Sequence, residues 1–446
     1  MRFLILGCAL LLAACASFPP NPPLAKYEPR AGYDFERLER GENSDEIFVI
    51  LAFSGGGTRA AALAFGVLEA LRDTTIEWRG RRRALLDELD VISSISGGSF
   101  PAAYYAARGR QIFEEFPERF LYRPVQSELV RELFSPASWF KLLGRDYGRS
   151  DLAAEFYHRE VFGGATYADV IARRTRPFVI LNATDMTTGA QFSFIQDQFD
   201  PMCADLAGVP LARAAAASSA FPGGLTALTF RNYAGTCGYR HPAWVELALK
   251  DHDSRVNMRR TARAENRVAL DDPGRPYIHL TDGGVADNIG LRGPLAALTS
   301  VNHPWSVLRM LNDRRIRHLV VVVVNAATSP ATKRDQSAAV PSLVDTLTAA
   351  ATVPLDNYSF ETLELLRSTV RELNREPGAL RVELYPVEVA FEFIKSAEER
   401  AWFKNLPTTF ELPRETIDRL RAVARRLLAE DPEFQKLLKT LKSGLP

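Results

Sequence analysis

The sequence predicts an α/β fold of three layers, in which a mainly parallel central sheet carries helices on both faces. One observation is the short, continuously apolar run from Ile47 to Phe53, which is typical of a strand buried on both faces. Another is the helical spacing of leucine and valine between Arg59 and Arg72, directly after that run. Apolar strands that alternate with helices indicate a parallel sheet, because each crossover helix covers one of its faces.

The same alternation continues along most of the chain. Further strands are predicted at Asp90 to Ile95, Phe178 to Ala183, Tyr277 to Thr281 and His318 to Asn325. The C-terminal part is predicted to be mostly helical, with an edge strand from Val387 to Ile394 and an amphipathic helix that starts at Pro413. The arginine-rich face of that helix suits either a membrane surface or solvent. We therefore predict a catalytic domain over residues 46–327 and a helical extension, residues 328–446, packed on it.

The composition is that of an ordinary globular protein. Of its 446 residues, 46% are hydrophobic and 24% are charged, which argues against a largely disordered chain. With 55 basic and 54 acidic side chains the formal charge is +1. The chain therefore lacks the basic surplus that a nucleic-acid binder needs, and we expect no nucleic-acid partner.

The N-terminus has the pattern of a secretory signal. Residues 1–14 contain one charged residue, Arg2, followed by an apolar run that is too short to span a bilayer. The run ends in Leu-Ala-Ala-Cys15, which resembles the lipobox of bacterial lipoproteins; the alternative is an ordinary signal that happens to contain a cysteine. The resemblance implies acylation of Cys15 and anchoring in the cell envelope. Because Ala16 follows instead of aspartate, it also implies an outer-membrane location facing the periplasm.

Residues 15–45 are predicted to form a lipidated, proline-rich tether. Four prolines lie between Pro19 and Pro23, where they prevent a helix and favour an extended chain. We therefore expect an extended spacer between the anchor and the folded domain.

The cysteines agree with export. Cys8 leaves with the signal and Cys15 would be acylated, so Cys203 and Cys237 remain as one pair. In an oxidising compartment such a pair forms a disulfide; the alternative is two buried free thiols. A zinc site is not expected, because no CxxC or paired-histidine spacing surrounds either residue.

The first segment whose residues suit catalysis or ligand binding is residues 54–59, Ser-Gly-Gly-Gly-Thr-Arg, which join a predicted strand to a helix. Glycines let the backbone approach a ligand, and the start of a helix offers free amides and the positive end of its dipole. Such a loop suits a phosphate or an oxyanion. It is not a P-loop, because no Gly-Lys-Ser/Thr follows, and it lacks the last glycine and the acidic partner of a dinucleotide-binding loop.

The second segment, Ser94 to Gly98, places a serine at a strand-to-helix turn. Its central residue is Ser96, and Gly97 and Gly98 follow it. This is the layout of a nucleophile elbow, in which the neighbours must be small because the turn is strained and tightly packed. Ser94 stands where the elbow pattern usually has its first glycine.

The third segment is Asp282-Gly283-Gly284, at the end of a predicted strand. A carboxylate in this position can reach a cleft at the carboxyl edge of the sheet. An ordinary Asp-Gly turn is the alternative interpretation.

Together and in this order, the three segments resemble the oxyanion-hole loop, the nucleophile elbow and the Asp-Gly-Gly motif of the patatin-like phospholipase family. The resemblance covers roughly Ile47 to Val324 and includes the segments Leu181 to Phe192 and Ala215 to Pro222. The chain departs from the family pattern at Ala60 and at Ser94, where the family has glycine.

The family uses a serine–aspartate dyad, and the resemblance implies the same roles here. Ser96 would be the nucleophile and Asp282 the base. The oxyanion hole would be formed by the amides of Gly55, Gly56 and Gly57, with Arg59 beside it. These parts suit acyl transfer, which needs a nucleophile, a proton acceptor and donors aimed at the developing oxyanion.

The implied function is a membrane-anchored serine lipid acyl hydrolase that cleaves carboxylic esters of phospholipids or related lipids, with no cofactor or metal. The alternatives are an esterase or acyltransferase that uses a non-membrane acyl donor, and a non-catalytic lipid-binding envelope lipoprotein. Within the hydrolase hypothesis, a Ser-His-Asp triad is a further alternative, for which His303 or His318 would have to supply the base.

Overall fold

The computed structural model describes residues 18–44, 46–222, 224–251, 258–313, 315–328, 338, 340 and 382–443, together with parts of 361–375. The predicted signal peptide and Cys15 lie outside the described residues.

The strands form one large sheet and one small hairpin. They are β1 (Ile47–Phe53), β2 (Thr75–Trp78), β3 (Arg81–Ala84), β4 (Leu89–Ile95), β5 (Phe178–Asp185), β6 (Gln191–Ser193), β7 (Leu228–Arg231), β8 (Tyr277–Asp282), β9 (His318–Asn325) and β10 (Glu383–Ala390). Strands β2 and β3 form the hairpin. The other eight strands form the sheet, in the order β10-β9-β1-β4-β5-β8-β7, with β6 also paired to β5.

The sheet is mainly parallel, as the sequence predicts. Strands β10, β9, β1, β4 and β5 all pair in parallel. Strands β6, β7 and β8 add three antiparallel pairings on one side. Every residue of β1, β4 and β5 is buried, so both faces of the central sheet are covered.

Helices surround the sheet. They are α1 (Gly57–Asp73), α2 (Ser99–Arg108), α3 (Ile112–Phe116), α4 (Val125–Leu133), α5 (Pro136–Leu142), α6 (Arg149–Glu160), α7 (Tyr167–Arg173), α8 (Gln196–Phe199), α9 (Leu211–Ser218), α10 (Ala243–Lys250), α11 (Met258–Leu270), α12 (Arg292–Thr299), α13 (Val307–Asn312), α14 (Ala397–Lys404), α15 (Arg414–Glu430) and α16 (Pro432–Ser443). Within the described residues, no helix has the length and the apolarity needed to cross a bilayer.

The C-terminal extension is part of the same packed unit. Its strand β10 extends the sheet at the edge beside β9, four residues earlier than the predicted strand. Helix α15 begins one residue after Pro413 and packs on α1. Glu69 of α1 pairs with Arg421 and Arg425 of α15, at 2.8 and 2.7 Å. Two of the arginines on this helix therefore hold it on the domain.

The tether is not a free spacer over its described length, contrary to our expectation. The Asn21 side chain is buried; it donates to the Arg231 carbonyl and accepts from the Arg231 amide. The Leu24 amide donates to the Cys203 carbonyl, at 2.7 Å. Proline prevents regular pairing of this segment, but the residues between and after the prolines still find backbone partners on the domain.

Cys203 and Cys237 form a disulfide between two loops. Their Cα atoms are 5.4 Å apart and they lie 34 positions apart in the chain. Both residues are buried. The bridge therefore closes a long loop against which the start of the described chain also packs.

Removing the disulfide should destabilise the protein. In the double variant Cys203→Ser/Cys237→Ser, we expect the free energy of unfolding to fall by about 3–4 kcal/mol, because the unfolded chain regains the entropy of an open loop of this length. Urea unfolding measures the change. Reduced wild type should unfold like the double variant; an unfolding midpoint that does not respond to reductant would show that the bridge does not contribute.

Candidate active site

Ser96 occupies a strained turn between β4 and α2. Its φ angle is +48°, a conformation that residues with a side chain rarely adopt. The Ser96 amide donates to the Ser218 hydroxyl at 2.9 Å, which holds the turn in place. The residue is 9% exposed. This is the geometry of a nucleophile elbow, with a serine at the apex that is almost closed off from solvent.

The two glycines after Ser96 allow the glycine-rich loop to lie directly against the elbow. A Cβ atom on Gly97 would lie 2.1 Å from the carbonyl oxygen of Gly57. A Cβ atom on Gly98 would lie 2.7 Å from the Cβ of Phe53. No larger residue fits at either position without displacing neighbouring atoms. The residues after Ser96 must therefore be small because the elbow and the glycine-rich loop are in direct contact.

A chain of buried hydroxyl groups supports the elbow from below. Ser94 donates to the carbonyl of Ile180, Ser99 donates to Ser94, and Ser99 and Ser218 share a hydrogen bond of 2.8 Å. Ser94 therefore fits its position with its hydroxyl satisfied, although the family pattern has glycine there. The segment that contains Ser218 was predicted to belong to the family pattern. The hydrogen bond between Ser218 and Ser96 was not predicted, because the two residues are 122 positions apart in the chain.

Asp282 reaches the elbow from an antiparallel strand. Strand β8 runs opposite to β5, and Asp282 is the partner of Ala183. The neighbouring residue of β5, Asn182, is the partner of Ile95 on β4. The carboxylate therefore lies two strands from the residue that precedes Ser96. Asp282 was predicted to lie at a strand end. Because β8 runs antiparallel to β4 and β5, this end reaches the carboxyl edge of β4 from the opposite direction.

The environment of Asp282 makes it a stronger base than an ordinary carboxylate. Burial raises its pKa from 3.8 to about 6, because desolvation disfavours the charged form. The hydrogen bond from the Gly284 amide, at 2.7 Å, and the nearby Ser96 side chain lower the pKa and partly offset this effect. The carboxylate is thus ionised at neutral pH, with a pKa close to it.

Gly283 and Gly284 allow close packing around the carboxylate. A Cβ atom on Gly283 would lie 2.2 Å from the Asn182 carbonyl oxygen. On Gly284 it would lie 3.0 Å from the Asp282 Oδ1 atom and 3.1 Å from the Asn288 Oδ1 atom. Because both positions are glycine, the turn packs directly against β5. The Gly284 amide then donates to the Asp282 carboxylate.

The glycine-rich loop offers two amides to the elbow, not three. The Gly55 amide donates to the Asn288 carbonyl at 3.0 Å, so this N–H is already used. Gly56 and Gly57 have φ angles of +134° and +61°, and their amides donate to no other described residue. We therefore correct the expected oxyanion hole: Gly55 holds the loop in position, and the available donors are Gly56 and Gly57.

The Arg59 guanidinium lies beside Gly56 and binds a segment from the C-terminal part of the chain. It donates to the carbonyls of Ala326, Leu406 and Pro407 and to the Thr408 hydroxyl. We call residues 406–410 the strap; the sequence analysis gave no sign of it. The strap also touches the glycine loop, because the Thr58 amide donates to the Thr409 carbonyl at 2.8 Å. Arg59 therefore positions the strap over the loop.

Weakening the hydrogen bonds between Arg59 and the strap, which we call the clamp, should loosen the strap and the glycine loop. Arg59→Lys keeps the positive charge but not the fork of donors. We expect a fall of about 2–4 kcal/mol in the free energy of unfolding, since several carbonyls lose a charged donor. Urea unfolding measures it, with Arg131→Lys as a control at an exposed arginine. Equal stability of the two variants would contradict the clamp.

The two histidines that a triad would need, His303 and His318, do not lie at the elbow. His318 pairs in register with Ile47 at the amino end of β1, whereas the glycine loop follows Phe53 at the other end, about 20 Å away. His303 lines a cavity of about 730 Å³ whose walls include neither Ser96 nor Asp282. Burial lowers the pKa of both imidazoles, that of His303 to about 3. A triad through either histidine is therefore not favoured.

Comparison with known proteins gives one match to a family and several distant structural likenesses. The family model described as patatin-like phospholipase matches residues 51–295. The human group IVD cytosolic phospholipase A2 structure is 13% identical, with a TM-score of 0.47; the alignment covers 90% of this chain and 63% of that one. VipD from Legionella pneumophila is 11% identical, with a TM-score of 0.32 and coverage of 93% and 71%. No curated protein sequence matches significantly. At these scores the structures carry no argument about individual residues.

Proposed function

Because the chain belongs to the patatin-like phospholipase family, we propose that it is a serine lipid acyl hydrolase that works through a dyad of Ser96 and Asp282. The observation that best supports the dyad is the buried Asp282 carboxylate, which lies close enough to the serine at the apex of the elbow for that side chain to affect its pKa of about 6. A base with a pKa near neutral pH combines a large ionised fraction with good proton affinity.

The reaction follows from this arrangement. The Ser96 Oγ atom attacks the ester carbonyl carbon while its proton passes to Asp282. The oxyanion that develops accepts hydrogen bonds from the Gly56 and Gly57 amides, at the positive end of the α1 dipole. The intermediate then collapses, and the leaving alcohol takes the proton from Asp282. Water releases the acyl group by the same steps, and Ser96 regains its proton.

We propose carboxylic esters of phospholipids or related lipids as the substrates. The family assignment supports a lipid, and the burial of both dyad residues suits a substrate that leaves bulk water to react. An esterase or acyltransferase with a soluble acyl donor would use the same dyad. A non-catalytic lipid-binding protein would not need a serine in a strained conformation beside a buried carboxylate.

Product analysis tests this function. The purified protein is incubated with mixed envelope phospholipids, and released fatty acids and lysophospholipids are identified by mass spectrometry, with Ser96→Ala as the control. Release of fatty acid by wild type alone supports the proposal. Acyl release only from soluble donors would favour the esterase alternative, and no release from either would leave the binding alternative.

We also propose that the chain is anchored in the bacterial envelope, on the periplasmic side of the outer membrane, through acylated Cys15. Cys15→Ser should abolish incorporation of a labelled fatty acid and leave a precursor or a soluble protein, because the thiol is the site of acylation. Metabolic labelling followed by membrane fractionation measures both effects. Wild type that takes up no label would contradict the anchor.

A further inference from the structure

Helices α4 and α5 pack together, and large apolar side chains on them and directly after their last residues are exposed to solvent. The exposed fractions are 47% for Val130, 66% for Phe134, 59% for Trp139, 63% for Phe140 and 75% for Leu143. We call these five residues the apolar patch. A concentration of this kind is unusual on a soluble surface and marks a place where another apolar surface is met.

We infer that the apolar patch is the surface through which the protein docks on a lipid bilayer. This inference rests on the proposed function, which requires ester bonds that are held in a membrane. It identifies the surface that contacts the membrane and the connection between that surface and the active site.

The side chains of the patch suit the bilayer interface. Exposed tryptophan and phenylalanine side chains are typical of segments that lie at the level of the lipid headgroups. The charged residues nearby add to this. Exposed Arg131, Arg145 and Arg149 form no ion pair with any residue that the structure describes, whereas Glu128 and Glu132 are paired with other arginines.

The balance of unpaired charge around the patch is therefore positive. Over residues 125–149, Asp146 is the acidic side chain without an ion-pair partner among the described residues, against the three unpaired arginines. Such a surface is attracted to anionic headgroups. A second copy of this chain would bring the same arginines into opposition, so charge favours the membrane over self-association.

The patch is connected to the active site through the start of α4. The Gln126 Oε1 atom accepts hydrogen bonds from the Thr409 hydroxyl, at 2.6 Å, and from the Phe410 amide. Thr409 in turn accepts from the Thr58 amide of the glycine loop. Val130 of the patch lies one helical turn beyond Gln126, about 6 Å along the axis. A membrane held by the patch would thus lie beside the strap, which contacts the glycine loop of the active site.

The position of the described N-terminus agrees with this orientation. The Phe18 amide donates to the Asp146 carbonyl at 3.0 Å, three residues after Leu143. Cys15 precedes Phe18 by three residues, so its Cα is at most about 11 Å from that of Phe18. An acyl chain on Cys15 would therefore enter the membrane on the side of the molecule that carries the patch.

Fluorescence quenching tests the contact directly. The full chain is mixed with vesicles of phosphatidylcholine and phosphatidylglycerol whose acyl chains are brominated. We expect quenching of a fluorescence component that is missing in Trp139→Phe, because the indole of Trp139 enters the acyl region. Equal quenching of wild type and Trp139→Phe would overturn the inference.

A set of substitutions tests the consequence for turnover. In Phe134→Ser/Phe140→Ser/Leu143→Ser, we expect hydrolysis of vesicle lipid to fall at least about tenfold relative to that of a water-soluble ester, since one buried large side chain accounts for about that factor. Leu247→Ser, on α10 and 60% exposed, is the matched control and should behave as wild type. An equal fall on both substrates would overturn the inference.

Two further outcomes keep this inference separate from the proposed function. If neither ester is cleaved, the proposed function fails, while Trp139 quenching still decides whether the patch docks. If sedimentation shows a dimer that the triple substitution dissolves, the patch joins two copies and the membrane inference is wrong.

Discussion

Substitution of Ser96 by alanine is expected to lower the rate of ester hydrolysis by about 10⁶-fold, the loss seen when a catalytic serine is removed from a hydrolase. The substitution deletes one oxygen atom and keeps the backbone amide, which donates to Ser218. The fold should therefore be intact, with an unfolding midpoint close to that of wild type. Initial rates with a soluble ester, together with circular dichroism, measure both properties.

A second serine provides the control for this experiment. Ser306 is buried and caps α13, but it belongs to a different part of the chain. Ser306→Ala should lose about 1 kcal/mol of stability through the cap and retain activity. If Ser96→Ala keeps the activity of wild type, the elbow is not the catalytic centre and the proposed mechanism is wrong.

Replacement of Asp282 by asparagine should lower the rate by about 10⁴-fold. Asparagine has nearly the same size and still accepts from the Gly284 amide, but it cannot take the proton of Ser96. The loss is expected mainly in kcat, because proton transfer belongs to the transition state and not to substrate binding. Substitution of His303 or His318 should not cause a comparable loss, since neither lies at the elbow.

The pH dependence provides an independent test of Asp282. Its pKa is raised to about 6 by burial, so below that pH the carboxyl group is protonated and cannot act as a base. We expect kcat/KM to fall about tenfold for each pH unit below about 6 and to be level above it. The residual activity of Asp282→Asn should lack this acid limb. An acid limb that remains in Asp282→Asn would assign the titration to another group.

Much of the fold could be predicted because buried parallel strands have a strong local signature. The runs that became β1 and β9 were predicted with the bounds that the structure has, since β1 is apolar throughout and β9 has six consecutive apolar residues between His318 and Asn325. The direction of β8 has no such signature. An antiparallel strand that is largely buried has the same composition as a parallel one, so only pairing with β5 sets its direction.

The site was predicted less completely than the fold. The resemblance to the patatin-like family paired Ser96 with Asp282, and small-residue motifs mark both of their turns. The roles of Gly55 and Arg59 could not, because they depend on partners far along the chain: the carbonyl of Asn288 and the strap around Leu406. Sequence motifs indicate which residues lie next to the strained turn. Tertiary contacts decide which backbone amides and side-chain donors of these residues remain available to a ligand.

The most direct measurement of the central claim is the identity of the residue that becomes acylated. The protein is treated with a fluorophosphonate, digested, and the modified peptide is sequenced by mass spectrometry. The Ser96–Asp282 dyad predicts a single adduct on Ser96, absent in Ser96→Ala and formed much more slowly in Asp282→Asn. An adduct on another serine, or labelling of Ser96 at an unchanged rate in Asp282→Asn, would contradict the dyad.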